Sequence, residues 1–161
     1  MTQASMAWMA YALGLIGVRE VPGPGNSPVI AGWLQRLRAW WSDDATPWCG
    51  VFVGHVMQQA GLPIAKHWYR AKGWLDWGKP CLPAYGAVCV LDRKGGGHVF
   101  FVTKISGRFV WGIGGNQGDA VSEAKFDRAR VLGCRWPAEL ALPVPLRLVA
   151  DGGGPLSRNE A

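Results

Sequence analysis

The sequence predicts an α+β fold, with helices first and an antiparallel sheet second. Before Pro80, apolar stretches open near Pro or Ser and close near Gly, the punctuation of helices. From Pro80 onward the runs are β-branched and aromatic and are divided by glycines, as strands are. Helices followed by strands, rather than alternating with them, argue for α+β. The chain has 161 residues, 49% hydrophobic and 17% charged, so it folds and suits one domain. We expect that domain over residues 1–143, with an extended or mobile tail over 144–161.

The elements follow in order. Residues 4–17 predict a first helix, with Ser5 as its cap. Its apolar stretch MAWMAYALGLIGV lacks a basic lead and a cleavage site, and it is too short to span a bilayer. The expectation is a folded helix in a protein made in the cytoplasm without a signal peptide. The loop VPGPGNSP (21–28) cannot be helical, because two Pro-Gly steps interrupt it. Pro28 suits the first turn of a second helix running through VIAGWLQRLRAWW. After the polar turn SDDATP (42–47), Pro47 suits the start of a third helix, WCGVFVGHVMQQAG, which Gly61 stops. A short helix is expected over 68–77. Strands are expected at 86–93, 98–107, 108–115, 120–126 and 129–137, with KGGG (94–97) and Ser106-Gly107 as turns.

Four cysteines stand at 49, 81, 89 and 134. They form no CxxC pair, so a metal site is not indicated and no cofactor is expected. A core of this size needs no disulfides, and the redox state stays open. Cys49 in TPWCGVFV differs from the others by standing in the first turn of a predicted helix. The free N–H groups and partial positive charge there stabilise a thiolate, so its pKa should fall. The same groups can face an oxyanion. A buried packing thiol is the alternative.

A thiolate nucleophile needs a base. His55 lies on another face of the same helix, and His67 sits in a loop. His98 opens the apolar strand VFFV directly after three glycines, where a backbone or a substrate can approach closely. The next strand ends in GGNQGD (114–119), which an antiparallel pairing brings back beside His98. Asn116 is the first candidate to orient the imidazole, with Gln117 and Asp119 as alternates. Asp44 could brace the loop before Cys49 or cap its helix. There are ten tryptophans; Trp48, Trp74, Trp77 and Trp111 are candidates to wall a cleft, or else core.

The order of helix-start Cys, strand-start His and polar strand-end residue resembles the papain-like cell-wall cysteine peptidases of the NlpC and CHAP type. The matching pieces are DDATPWCGVFVGHVMQQAG (43–61), GAVCVLDRKGGGHVFFVTK (86–104) and FVWGIGGNQGDAVSEAKFDRARVLGCRWP (109–137), with the lead-in IGVREVPGPGNSPVI (16–30). The resemblance is nearest to small phage and prophage members. It implies helices packed on a small curled sheet or half-barrel. It also implies a nucleophile Cys49, a base His98 and an orienting residue most like Asn116. The implied activity is cleavage of a peptide or amide bond in peptidoglycan through a thioester, without a metal. Two departures stand out: Gly50 follows the cysteine, and the orienting position holds an amide where many relatives carry an acid.

A net charge of +6 fits approach to an anionic wall. No nucleic-acid motif accompanies it, and the basic residues are scattered. The expectation is a monomeric peptidoglycan hydrolase. It would be a phage endolysin with a holin as partner, or an antibacterial effector with an immunity protein, acting on the wall after release or delivery. The alternative is an inactive wall-binding or virion structural module of the same fold.

Overall fold

The computed structural model describes residues 7–21, 27–41 and 47–146. Three helices come first: α1 (Ala7–Gly14), α2 (Pro28–Arg36) and α3 (Cys49–Gln59). A 3₁₀ segment (Ala71–Asp76) leads into the strands β1 (Lys79–Cys81), β2 (Val88–Arg93), β3 (Gly96–Ser106), β4 (Phe109–Gly114), β5 (Ser122–Asp127) and β6 (Val131–Trp136). The strands form one antiparallel sheet in the order β1-β6-β2-β3-β4-β5. This is the α+β architecture expected, with a curled sheet. Register shifts in β2–β6 and β3–β4 add local bends.

The helix boundaries have local causes. Pro28 opens α2, and the Ser27 side chain accepts from Ile30 N–H. α2 was expected to reach Trp41. It ends at Arg36, because the chain turns left-handed at Arg38, with φ 60°. Gly61, at φ 74°, stops α3 as its sequence suggests. The segment over 71–76 is a 3₁₀ helix rather than an α-helix. β1 has only three residues, interrupted by Pro80, and gives no strand signal of its own; pairing with β6 makes it a strand. Ser5 and the start of the first expected helix lie outside the described residues. Among the described residues no helix is long and apolar enough to cross a membrane.

α3 is the central helix. Its residues from Cys49 to Met57 are all buried. Phe52 meets Phe101 of β3 edge-on at 5.9 Å, and Trp33 of α2 packs against Trp48, Phe52 and His55. A helix wrapped on all sides explains the unbroken apolar run CGVFVGHVM better than an amphipathic stripe does.

The segment 17–21 clamps the loop after β4. Gly17 N–H donates to Val121 O, Val121 N–H to Val18 O, and Glu20 N–H to Asp119 O. Glu20 Oε1 also accepts from Trp48 Nε1 at 2.8 Å. The lead-in therefore ties the start of α3 to the GGNQGD loop. At the other end, Val144 is exposed and Leu146 N–H donates to Pro83 O. The remainder of the expected tail, 147–161, lies outside the described residues.

Candidate active site

Cys49 is the first residue of α3 and is 6% exposed. Backbone N–H groups of Val99, Gly50 and Cys49 itself point at its sulfur and favour a thiolate. Burial outweighs them and pushes the thiol above its ordinary value. The expectation of a depressed pKa is thus corrected: the helix terminus acts, but desolvation wins. Gly50 also has a steric reason. A Cβ there would run into the carbonyl oxygen of Trp68, so α3 can start against the 68–70 backbone only with glycine after the cysteine.

His98, on β3, is 3% exposed and adjoins Val99, whose N–H meets the Cys49 sulfur. Its ring stacks on Phe100 and leans on Phe126. Nε2 lies 2.8 Å from Gln117 Oε1. The Gln117 amide is held from its other side, where Nε2 donates to Ser122 O (2.7 Å) and Gly112 O (3.4 Å). Those two carbonyls fix which end of the amide faces the imidazole. Oε1 must then accept, so His98 Nε2 carries the hydrogen and Nδ1 holds the free lone pair. Nδ1 is buried and makes no hydrogen bond, to Cys49 or to any other group. Burial lowers the His98 pKa to about 4, against the opposing pull of Gln117, so the ring is neutral near pH 7.

Asn116 was expected at the imidazole, and the structure puts Gln117 there instead. Asn116 adopts a left-handed conformation, with φ 60°, as does Asp119 with φ 59°. Asn tolerates that region better than most residues and uses it to reverse the chain. The reversal lets the next side chain fold back onto β4. Gly114 makes the room: a Cβ there would collide with Gln117 Oε1. Gly115 similarly admits Trp48 and Phe52, which a Cβ would meet at 2.7–2.8 Å. Asn116 still lines the cavity beside His98, while Asp119 is exposed.

Two cavities meet at Arg93. One, of about 400 Å³, holds His98, Asn116, Gln117, Ser122, Phe126 and Arg130. The other, of about 470 Å³, holds Cys49, Tyr69, Arg70, Lys72 and the glycines 95–97. Gly95 and Gly96 face open space, whereas Gly97 packs on Leu91 and Lys72.

None of the four tryptophans proposed as cleft walls lines either cavity. Trp48, Trp74 and Trp77 are buried, with their indole N–H groups on Glu20, Trp68 O and Pro63 O. Trp111 instead lies under Lys104, 4.1 Å from its ring. The aromatic wall is Tyr69, against which Trp40 and Trp41 pack edge-on; Trp40 is 73% exposed. Asp44 lies outside the described residues. His55 stacks on Trp33 at 4.9 Å in the core, and His67 pairs with the Tyr69 hydroxyl.

The helix-start thiol, the strand-start imidazole and the loop between them find a counterpart among known families. Residues 41–116 match the CHAP domain family. Over that stretch the chain is similar to CHAP domains. The match spans Cys49, His98 and Asn116 and stops one residue before Gln117. No curated protein matches the chain. That likeness points to a coarse activity, hydrolysis of peptidoglycan as an amidase or endopeptidase.

Sequence reasoning missed Arg93, Arg130 and Tyr69. No local motif marks them, because they converge only once β2, the 67–70 loop and the turn before β6 are packed together.

Proposed function

We propose that this chain is a cysteine amidase or endopeptidase of peptidoglycan, with Cys49 as nucleophile, His98 as base and Gln117 as the residue that orients it. The observation that carries the reading is the state of His98. One ring nitrogen is locked to an amide whose direction is itself fixed. The other is left as an unpartnered lone pair, beside the strand residue whose N–H meets the Cys49 sulfur.

The pair rests as neutral thiol and neutral imidazole. When substrate enters, His98 Nδ1 takes the thiol proton and the sulfur attacks the scissile carbonyl carbon. The carbonyl oxygen becomes an oxyanion facing the backbone N–H groups at the start of α3. Collapse breaks the C–N bond, and His98 returns the proton to the leaving amine. A thioester to Cys49 remains. Water, deprotonated by His98, attacks it and releases the acid and the thiol. Gln117 accepts from Nε2–H throughout and keeps Nδ1 aimed. As a neutral amide it stabilises the imidazolium less than a carboxylate would.

A second reading has its own support: Cys49 is almost covered, and no hydrogen bond joins it to His98. Those facts suit an inactive wall-binding module. Catalytic contacts often tighten only when substrate is bound, so we favour the enzyme. In a lytic setting the chain acts as an endolysin released beside a holin; in a competitive one, as an effector held in check by an immunity protein. Either setting brings it from the cytoplasm to the wall.

Digestion of purified peptidoglycan, with mass spectrometry of the soluble fragments, tests the reading and names the bond. Wild type should release fragments with one new amine and one new carboxyl end, and Cys49→Ala should release none. Equal fragment release by both proteins, or none by folded wild type on walls of several chemotypes, would sink it.

A further inference from the structure

We propose that the cavity beside His98 is a carboxylate subsite, in which Arg93 and Arg130 hold an acidic group of the substrate peptide. The inference rests on the hydrolase reading and adds the substrate chemistry that the site selects.

The two arginines reach the cavity from different elements. Arg93 ends β2 and Arg130 ends the short turn before β6, the neighbour of β2 in the sheet. Both line the same space as His98, and Arg93 also lines the cavity of Cys49. Among the described residues neither pairs with an acid, and the ion pair formed is Lys72–Asp92, at 3.2 Å. Arg130 Nε donates to the backbone oxygen of Asp92, and its guanidinium sits 5.9 Å from the Phe126 ring centre. That contact holds the group in place while its terminal NH₂ groups stay uncommitted.

Uncompensated cations beside a buried base are unfavourable for any protonated state of that base; both arginines push the His98 pKa down. Among the described residues they form no ion pair in return, which is the arrangement of a site awaiting an anion. The fork of an arginine matches a carboxylate in two parallel hydrogen bonds. The peptides of peptidoglycan present free carboxylates close to the bonds that amidases and endopeptidases cut, and Arg93 stands between the two cavities where such a bond would lie.

The test is a binding titration of the Cys49→Ala protein, which cannot turn substrate over. The probes are an N-acetylated stem peptide with its carboxylates free and the same peptide fully amidated. We expect the free acid to bind roughly tenfold tighter or more, as for hydrogen bonds to a charged group. Adding Arg130→Met should bring the ratio toward one, and Arg130→Lys should restore part of it. Arg93→Gln should also shrink the ratio, and it serves if Arg130→Met does not fold. Equal binding of the two peptides, or a ratio that neither substitution changes, overturns the subsite. Turnover by wild type separates the two claims. Preference in binding without cleavage of either peptide removes the hydrolase reading and leaves the subsite. Cleavage of both peptides with equal kcat/KM removes the subsite and leaves the hydrolase.

Discussion

At the residue scale, the side chain that meets His98 decides how the base is aimed. Gln117 makes that contact, with Asn116 shaping the turn beneath it. Gln117→Ala should therefore lower kcat on soluble peptide substrates by about ten- to a hundredfold with little change in KM, from the loss of an aimed base. Asn116→Gly, which keeps the left-handed turn, should cost less; a larger loss for Asn116→Gly than for Gln117→Ala would reverse the assignment. The pH profile follows from the same ring. Catalysis needs neutral His98, and burial holds its pKa at about 4. Activity should persist into mildly acidic solution, with the acid limb of kcat/KM near pH 4 rather than near 6.5. Gln117→Glu should move that limb upward, because a carboxylate favours the imidazolium. The sequence made Cys49 and His98 legible, since a helix start after Pro47 and a strand start after three glycines are local signals. It did not separate Asn116 from Gln117, because which of two adjacent amides points inward depends on a backbone reversal. Arg93 and Arg130 were silent for a related reason: their partnership exists only across strands.

At the element scale, the start of α3 is the most constrained place in the site. Gly50 lets the helix abut the Trp68 carbonyl, and Gly114 and Gly115 let the GGNQGD loop press on Gln117, Trp48 and Phe52. Gly50→Ala should destabilise the fold by about 1–3 kcal/mol through overpacking against backbone, read by urea or thermal denaturation. The residual activity of the folded fraction should fall as well, since relief of the clash shifts Cys49. A variant as stable and active as wild type would show that the approach is not tight. The longer strands were plain in the sequence as β-branched and aromatic runs divided by glycines, and β1 was not, since three residues around a proline make no such run. The three other cysteines gather across β1, β6 and β2, where Cys134 stands opposite both Cys81 and Cys89. All four are free thiols in the structure, and spacing alone could not have told that.

At the scale of the whole molecule, the buried imidazole links function to stability. His98 binds a proton near pH 6.5 when unfolded and only near pH 4 when folded. Between those values the unfolded chain holds more protons, so stability rises with pH through the window and falls on acidification. The loss from this ring should reach roughly 3 kcal/mol below pH 4, by the usual linkage. Replacing His98 with Gln should flatten the slope of unfolding free energy between pH 4 and 6.5; an unchanged slope would place the titration elsewhere. The helices-then-sheet order was readable from the sequence because Pro, Ser and Gly punctuate the part before Pro80, and β-branched and aromatic runs fill the part after it. The clamp of segment 17–21 on the GGNQGD loop was not, because it joins residues about a hundred positions apart. In the proposed reaction Cys49 carries the acyl group. That step is tested most directly by acid-quenching wild type during turnover of a soluble stem peptide, then mapping the adduct by mass spectrometry. An acyl mass on the peptide containing Cys49, absent in Cys49→Ser, is the result expected. Turnover that continues with no adduct, or with the adduct on Cys81, Cys89 or Cys134, would contradict it.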